Sequence, residues 1–403
     1  MTDRQAALAI HGGTPVRRSF LPYGRQTLTD ADIAAVVDTL RSEWITTGPK
    51  IAEFEHAIAA TAGAQYGVAL SSGTAALHAA AFAAGLGPGD EAITTPLTFC
   101  ATANVVLYQG ATPVFADVRA DTLTIDPSEV ERRVTPRTRA ILPVDYAGHP
   151  ARLDELLAIA SRHGLTVIED AAHALGAASR GRRVGGVSHM TMFSFHPVKH
   201  VTTGEGGVIT TNDERLADRL RIFRHHGITS DARTRQTEGQ WHYEMTALGF
   251  NYRLTDIGCA LGLSQLSRLG ANLARRRAVA ARYAAAFSTV PGLTLPIAET
   301  DVAHAWHLYP IRVHESIDRA EVFRALRAEG IGVNVHYVPV HLHPYYQDRF
   351  GDRRGAYPVA EAAYRQLISL PMFHGMSDAD VDDVVAAVGK VMAHFGAGAP
   401  ASR

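Results

Sequence analysis

Lysine and cysteine are scarce in this chain of 403 residues, which contains three lysines and two cysteines. Two cysteines cannot build a disulfide framework, so Cys100 and Cys259 are predicted to be buried thiols in a reducing compartment. No apolar run approaches the roughly 18 residues of a membrane-spanning helix, and residues 1–15 lack the apolar core of a signal peptide. The formal net charge of −1 provides no basic field for nucleic acid or an acidic membrane. We therefore expect a cytoplasmic protein that binds neither nucleic acid nor membrane.

The pattern of apolar residues predicts an α/β fold. Short β-branched segments alternate with Ala-rich amphipathic segments through the first two thirds of the chain, which indicates a mostly parallel mixed sheet flanked by helices. Thr29 and Asp32 have the spacing of a capping box at the start of an early helix. The predicted strands are 66–70, 92–95, 113–117, 140–144, 165–169, 190–195 and 207–211.

The chain is too long for one simple core, and its regular alternation of strand and helix patterns ends after about residue 255. We predict a large domain of residues 1–255 and a smaller C-terminal α/β domain of residues 256–403. The second domain is expected to contain a long helix over about 256–288, a strand over 307–313 and a final helix after Ser377. The basic run 275–277 is predicted to lie on a solvated helix face. Residues 345–354 are predicted to form either a mobile loop over a site or a plain surface loop.

The segment 66–78 joins an apolar strand to an Ala-rich helix through Ser-Ser-Gly-Thr. The start of a helix offers free backbone N–H groups, and Gly73 would let a phosphate approach closely. The segment therefore indicates a phosphate site. Taken alone, however, the segment is explained better by a plain capped helix after a tight turn.

Asp170 follows the apolar segment 165–169, so it falls at the carboxyl end of a predicted strand. Open α/β sheets bind their ligands at that edge. A carboxylate buried there needs a partner, and a protonated pyridine nitrogen would be suitable because the ion pair keeps the ring an electron sink. An N-cap or salt-bridged aspartate remains the alternative at this point.

Lys199 is the only lysine between Lys50 and Lys390 and lies in a short turn after the predicted strand 190–195. Desolvation lowers the pKa of an amine, which supplies the neutral nucleophile that forms an imine with an aldehyde. Ser194 is expected close enough to donate to a cofactor phosphate, and the Gly-rich turn 204–207 permits a close backbone approach. Together with the two preceding segments, this lysine predicts a pyridoxal 5'-phosphate (PLP) enzyme rather than a structural turn.

The sequence resembles the DegT/DnrJ/EryC1/StrS family of nucleotide-sugar aminotransferases. The resemblance extends over most of the chain and is carried by the segments 72–77, 169–173, 193–199, 203–207 and 249–256. It implies fold type I of the PLP aminotransferases, a homodimer with shared active sites, and L-glutamate as the amino donor. A few relatives carry histidine in place of the lysine and act as dehydratases, so Lys199 implies transamination.

The resemblance also implies roles for individual residues. Lys199 would hold the cofactor as a Schiff base and shuttle the proton, Asp170 would pair with the pyridine nitrogen, and His173 would lie near the ring hydroxyl. Asn251 would reach the phosphate of the neighbouring subunit. The remaining implied cofactor residues are Gly73, Thr74, Phe99 and Ser194, and the implied substrate residues are Arg253, His336, Tyr337 and His341.

The finer resemblance is to the pseudaminic-acid-pathway aminotransferases, through the segments 193–199, 241–245, 249–257, 260–266 and 336–341. It implies amination at C4 of a UDP-4-keto-6-deoxy-N-acetylhexosamine. The N-terminal segment 10–17 is more typical of the wider family, so a dTDP-keto-sugar of antibiotic or surface-polysaccharide biosynthesis is the alternative substrate. A non-catalytic PLP-binding regulator would lack the lysine or the aspartate, and both are present.

The histidines could suggest a metal site, since the chain contains 20 of them. The tightest groups are the adjacent pair His225 and His226 and the pair His341 and His343. Neither spacing is that of a helical zinc site, so we predict no metal. His341 is instead expected in the substrate loop, as the resemblance implies.

Overall fold

The computed structural model describes residues 7–230, 235 and 239–396, and its centre is a seven-stranded sheet. The strands of this sheet are β1 (Tyr66–Leu70), β2 (Glu91–Thr94), β3 (Thr112–Phe115), β4 (Thr138–Leu142), β5 (Thr166–Asp170), β8 (Met190–Ser194) and β9 (Gly207–Thr211). Their order across the sheet is β1-β9-β8-β5-β4-β2-β3. Within the described residues, β9 runs antiparallel to both of its neighbours, and the other strands are parallel to one another.

Helices cover both faces of this sheet because its central strands are apolar on both sides. On one face Ile168 and its neighbours pack against α3, α4 and α7, whose bounds are Gly73–Ala83, Ala101–Tyr108 and Glu214–Arg224. On the other face Val167 packs in a core with α5 (Pro127–Arg133) and α6 (Leu153–His163). The strand-and-helix alternation of the sequence therefore gives the predicted α/β architecture, with a mostly parallel mixed sheet between two helical layers.

Two small sheets complete the described structure. One has the order β10-β12-β13, with bounds Leu293–Thr294, Tyr309–Val313 and Leu367–Leu370, and the other has the order β11-β6-β7, with bounds Val302–Ala303, Ala178–Ser179 and Arg182–Arg183. The first sheet shares a core with α9 (Leu269–Phe287), α10 (Arg319–Ala328) and α13 (Asp378–Phe395). The other helices are α1 (Asp30–Arg41), α2 (Pro49–Ala62), α8 (Asp256–Leu266), α11 (Pro344–Phe350) and α12 (Pro358–Gln366). The domain division after residue 255 stays a prediction.

Local capping patterns in the sequence correspond to helix starts in the structure. Thr29 and Asp32 form a capping box at the start of α1, and Ser377 and Asp380 form another at the start of α13. The long helix expected over 256–288 is instead divided into α8 and α9. At the break, Ser267 Oγ donates to the Ser264 carbonyl, and the Arg268 guanidinium lies 2.7 Å from the buried Asp32 carboxylate of α1.

Three other expectations are corrected. Arg276 was expected on a solvated face but is 1% exposed, since its guanidinium donates to the carbonyls of Trp306, His307 and Met372. The segment 345–354 is not wholly a loop, because α11 continues to Phe350. Cys100 is half-buried rather than buried, whereas Cys259 is buried as predicted, and both are free thiols.

Candidate active site

A cavity of about 530 Å³ opens where several parallel strands end. The segments after β1, β2, β4, β5 and β8 all contribute to it, as the parallel arrangement requires. The second part of the chain closes it from the other side with the segment 334–337. Its polar and aromatic lining residues are Tyr23, Ser72, Thr74, Thr98, Phe99, Thr102, Asp170, His173, Ser194, His196, Lys199, Glu205, His307, Asn334, His336 and Tyr337.

One end of the cavity is formed by the first turn of α3. Ser72 caps this helix, with its Oγ accepting a hydrogen bond from the Ala75 amide at 3.0 Å. The amides of Gly73 and Thr74 have no acceptor within the helix. A Cβ atom at Gly73 would lie 3.1 Å from the Ser194 Cβ atom, so glycine allows the helix start and the end of β8 to approach each other. The result is a cradle of amides and hydroxyls of the kind that binds phosphate.

Asp170 is the last residue of β5 and is 5% exposed. Its Oδ2 accepts from the Thr102 hydroxyl at 2.7 Å, and its Oδ1 accepts from the Ala172 amide at 3.2 Å. Burial raises the pKa of Asp170, although these two hydrogen bonds and the charge of Lys199 act in the opposite direction. No cation forms an ion pair with this carboxylate within the described ranges. The site therefore has room for a cationic ligand group here.

Lys199 lies in the turn between β8 and β9, where its amide donates to the His196 carbonyl at 2.9 Å. Burial lowers the pKa of its amine from 10.5 to about 8, the charge of Asp170 opposes this shift, and the charge of Arg276 adds to it. In the part of the chain that the structure describes, no side chain or carbonyl accepts a hydrogen bond from the Lys199 amine. About a tenth of this amine is therefore neutral and nucleophilic at pH 7, and about half at pH 8.

Histidines from both parts of the chain surround the lysine. His173 Nε2 is hydrogen-bonded to the Tyr337 hydroxyl at 3.0 Å, and the His173 and His307 rings lie 4.4 Å apart. His336 Nδ1 is hydrogen-bonded to the Ser369 hydroxyl at 2.9 Å. Burial lowers the pKa of His173, His307 and His336 below 6.5, and the charge of Lys199 acts in the same direction. These histidines are therefore neutral at pH 7 and cannot serve as counter-ions for an anionic substrate.

The structure brings most of the predicted site residues together. Lys199, Asp170 and His173 all line the cavity. Six other predicted residues line it too, namely Gly73, Thr74, Phe99, Ser194, His336 and Tyr337. The Phe99 ring is 57% exposed, and its centroid lies 6.1 Å from that of Tyr337.

Three predicted residues lie elsewhere in this single chain. Asn251 is exposed, and the Arg253 guanidinium donates to His225 Nδ1 at 2.7 Å in a separate cleft of about 380 Å³. His341 is 2% exposed, and its Nε2 lies 3.0 Å from the Glu361 carboxylate, away from the cavity lining. Their predicted roles in binding cofactor or substrate stay predictions.

The structure also adds residues that the sequence did not reveal. Thr102 holds Asp170, and the Thr98 hydroxyl in the segment before α4 lies 2.9 Å from the Thr102 hydroxyl. Tyr23, His307 and Asn334 reach the cavity from distant segments and carry no local pattern.

Two classes of feature are absent from the described residues. No three His, Cys, Asp or Glu side chains are grouped there so that they could hold a metal ion. None of the helices in the same ranges combines the length and apolar character needed to cross a membrane.

Comparison with known proteins identifies the family. Residues 26–389 match the DegT/DnrJ/EryC1/StrS aminotransferase family. The spore coat polysaccharide biosynthesis protein SpsC of Bacillus subtilis is 46% identical over 377 residues, which cover 92% of this chain and 97% of that protein. The chain therefore has a full-length relative in polysaccharide biosynthesis.

Solved structures agree with this result. The putative sugar aminotransferase Spr1654 of Streptococcus pneumoniae, in its PMP form, is 33% identical with a TM-score of 0.88, and the match covers 93% of this chain and 100% of that one. Helicobacter pylori PseC, an aminotransferase involved in the biosynthesis of pseudoaminic acid, is 32% identical with a TM-score of 0.87 and covers 94% and 100%. The chain belongs to the DegT/DnrJ/EryC1/StrS aminotransferase family and is a PLP-dependent sugar aminotransferase.

Proposed function

We propose that the protein transfers an amino group from L-glutamate to C4 of a UDP-4-keto-6-deoxy-N-acetylhexosamine, in the cytoplasm. The similarity to PseC, together with the segments that resemble pseudaminic-acid-pathway enzymes, supports this substrate. The similarity to SpsC supports a product used in a polysaccharide. The observation on which the reaction type depends is the Lys199 amine, with its pKa of about 8, in the same cavity as the Asp170 carboxylate, which has no ion-pair partner among the described residues.

The residues of the cavity fit PLP. The Asp170 carboxylate, which has a raised pKa and no ion-pair partner among the described residues, suits a protonated ring nitrogen. The cradle of Gly73, Thr74 and Ser194 suits the phosphate. The Lys199 amine suits the aldehyde carbon, because a depressed pKa makes it nucleophilic.

We assign one task to each of these residues. When bound, PLP supplies an electron sink that stabilises negative charge on the carbon bearing the amino group. The Lys199 amine holds the cofactor and, once released, moves the proton to and from that carbon. The Asp170 carboxylate keeps the proton on the ring nitrogen, and Thr102 keeps Asp170 in place. The hydrogen bond between His173 and Tyr337 ties the closing segment 334–337 to the sheet.

We further propose that the working unit is a homodimer with shared sites. Among the described residues, the cavity lining contains one lysine and no arginine, so this part of a single chain offers little to bind the carboxylates of glutamate or a nucleotide diphosphate. Arg253 and Asn251 lie outside that lining and would act in the cavity of the partner subunit. Trp241 and Leu248 nearby are 84% and 76% exposed, which favours a second copy covering them.

The substrate proposal is tested with the PLP-loaded enzyme and glutamate. UDP- and dTDP-linked 4-keto-6-deoxy sugars are compared, and the position and configuration of the new amine are determined by NMR. Amination of the UDP-N-acetylhexosamine at C4, with at least tenfold higher kcat/KM than for the dTDP sugar, supports the proposal. Preference for the dTDP sugar, or amination at C3, contradicts it while leaving the family assignment intact.

Shared sites are tested by mixing two inactive variants. In a dimer of Lys199→Ala and Arg253→Ala subunits, one cavity carries both changes and the other carries neither. Random exchange of subunits should therefore restore about a quarter of the wild-type activity. If each subunit uses its own Arg253, the mixture stays inactive.

A further inference from the structure

Two fully buried carboxyl groups lie beside Asp170 and have no role in the reaction described above. Asp145 and Glu169 are both 0% exposed. The Asp145 amide donates to the Asp170 carbonyl at 3.0 Å, and Glu169 precedes Asp170 in β5. Because side chains alternate along a strand, Glu169 points to the opposite face of the sheet from Asp170, and it does not line the cavity.

The hydrogen bonds of the two carboxyl groups leave one oxygen of each without a donor. Asp145 Oδ1 accepts from the Ala151 amide at 2.8 Å. Glu169 Oε2 accepts from the hydroxyls of Ser188 and Thr191 at 2.8 and 2.7 Å. Asp145 Oδ2 and Glu169 Oε1 have no partner among the other described groups. Yet these two carboxyl groups are within hydrogen-bonding distance of each other, and a single proton between them would satisfy both oxygens.

We propose that Asp145 is protonated and donates a hydrogen bond to an ionised Glu169. The pair is a positioning element, and its single negative charge helps Asp170 to hold the proton on the cofactor's ring nitrogen. The proposal depends on the anchor role proposed for Asp170. It adds two residues that do not touch cofactor or substrate and act through Asp170.

The surroundings decide which of the two residues carries the proton. Burial and the negative charge of Glu169 raise the pKa of Asp145 well above 3.8. Burial also raises the pKa of Glu169, but hydrogen bonds from Thr191, Ser188 and Asp145 oppose this and stabilise its ionised form. The other charged group that acts on both is Asp170, and its charge disfavours a second negative charge on the pair. Two carboxylates without a cation cannot both be ionised in such a place.

The pair also anchors the loop that follows β4. The Asp145 carboxyl holds the Ala151 amide, and the Asp145 amide is fixed to Asp170. The next residue, Tyr146, donates from its hydroxyl to the His336 carbonyl in the segment that closes the cavity. The pair therefore links the end of β5, the loop 145–151 and the closing segment.

The first test is infrared spectroscopy of the PLP-loaded protein at pH 7. The wild type should show the C=O stretch of a protonated carboxyl group, and D145N should lack it. The amide side chain introduced by D145N supplies an N–H donor to Glu169 and an acceptor to the Ala151 amide, so this variant should melt within a few degrees of the wild type. A protonated-carboxyl band that persists unchanged in D145N would overturn the proposal.

The second test separates charge from position. In the D145N background the added change E169Q removes the negative charge at nearly constant shape. The pH midpoint of the bound cofactor's absorbance should stay at the wild-type value in D145N and fall by about one unit in D145N/E169Q. An unchanged midpoint in the folded double variant contradicts the proposal. Both readouts are independent of the sugar substrate, so inactivity toward every keto-sugar would count against the proposed function only.

Discussion

Glu329 and Asp170 are both buried carboxylates, but the chain compensates them very differently. Glu329 follows α10, is 0% exposed, and accepts from the amides of Ala9 and Val16 at 2.8 and 2.9 Å. It also pairs with the Lys390 amine at 2.9 Å. Asp170 has one hydroxyl and one long amide contact, with no ion pair inside the described ranges. A carboxylate that only stabilises the fold has its charge and hydrogen bonds satisfied by its own chain. A carboxylate that binds a ligand keeps its charge unpaired for that ligand.

The lysines repeat this contrast. The Lys390 amine donates to the Thr14 carbonyl at 2.8 Å and to the Glu329 carboxylate at 3.0 Å, so its charge is used to join the N-terminal segment to α13. The Lys199 amine has a lowered pKa and no such contacts among the described residues. The two pairs of like residues therefore provide matched controls for each other.

The largest effect is expected from Lys199→Ala. Precise placement of a reacting group supplies about 7–11 kcal/mol of barrier reduction, so turnover should fall by at least about 10⁵-fold. The absorbance of the covalently held cofactor should disappear, while the melting temperature of the PLP-free protein should not fall. Lys390→Ala should behave in the opposite way, with normal turnover and a loss of about 3 kcal/mol of stability. Normal turnover in Lys199→Ala would contradict the assignment.

The same contrast between activity and stability is expected for the two carboxylates, Asp170 and Glu329. Asp170→Asn should lower kcat by about 10²–10³-fold, because the ring nitrogen loses the charge that holds its proton. Its unfolding free energy should change little, since Thr102 can still bond to residue 170. Glu329→Gln should destabilise the fold by about 3 kcal/mol through the unpaired Lys390 and leave kcat unchanged. Denaturant titration measures the unfolding free energy, and steady-state kinetics measure kcat. Equal losses of kcat in the two variants would contradict the distinction between a structural and a ligand-binding carboxylate.

The pKa of about 8 at Lys199 predicts the pH dependence of cofactor capture. The rate of PLP binding to the PLP-free protein should rise with pH and level off above about pH 8, where the amine is neutral. The midpoint should fall in Asp170→Asn, because the negative charge of Asp170 raises this pKa. In the unfolded chain the amine has its ordinary pKa of 10.5, so the unfolded state binds more protons between pH 8 and 10.5. The contribution of Lys199 to stability therefore improves as pH rises through that window, and Lys199→Ala should abolish this slope.

Local patterns account for how much of the fold could be predicted. Strand-and-helix alternation and the capping pair of Thr29 with Asp32 are short-range signals, and the structure confirms both. Arg276 was misjudged because its acceptors are carbonyls 30 or more residues away, at Trp306, His307 and Met372. The break between α8 and α9 was missed for a similar reason, since Arg268 turns toward Asp32 of α1.

The same limit applies to the site, where local signals were predictable and long-range contacts were not. Asp170 was predictable because it ends an apolar strand, and Lys199 because it lies in the turn that follows one. Both therefore fall at the edge where a parallel sheet concentrates its ligand-binding residues. Tyr23 and Asn334 were not predictable, because their place at the cavity depends on how the closing segment packs. The proton shared by Asp145 and Glu169 also has no sequence signal, since it depends on the pairing of β5 with the segment after β4.

The smallest effect we predict concerns two helix caps, Ser72 at the site and Ser377 outside it. Ser377 Oγ accepts from the Asp380 amide at 3.1 Å, and Ser72 Oγ accepts from the Ala75 amide at 3.0 Å. Ser377→Ala and Ser72→Ala should each lower the unfolding free energy of the PLP-free protein by about 1 kcal/mol. Ser72→Ala alone should also raise the dissociation constant of PLP several-fold, because it loosens the Gly73 and Thr74 amides of the proposed phosphate cradle. If both variants bound PLP as the wild type does, the phosphate would have to be held mainly by Ser194 and by groups outside α3.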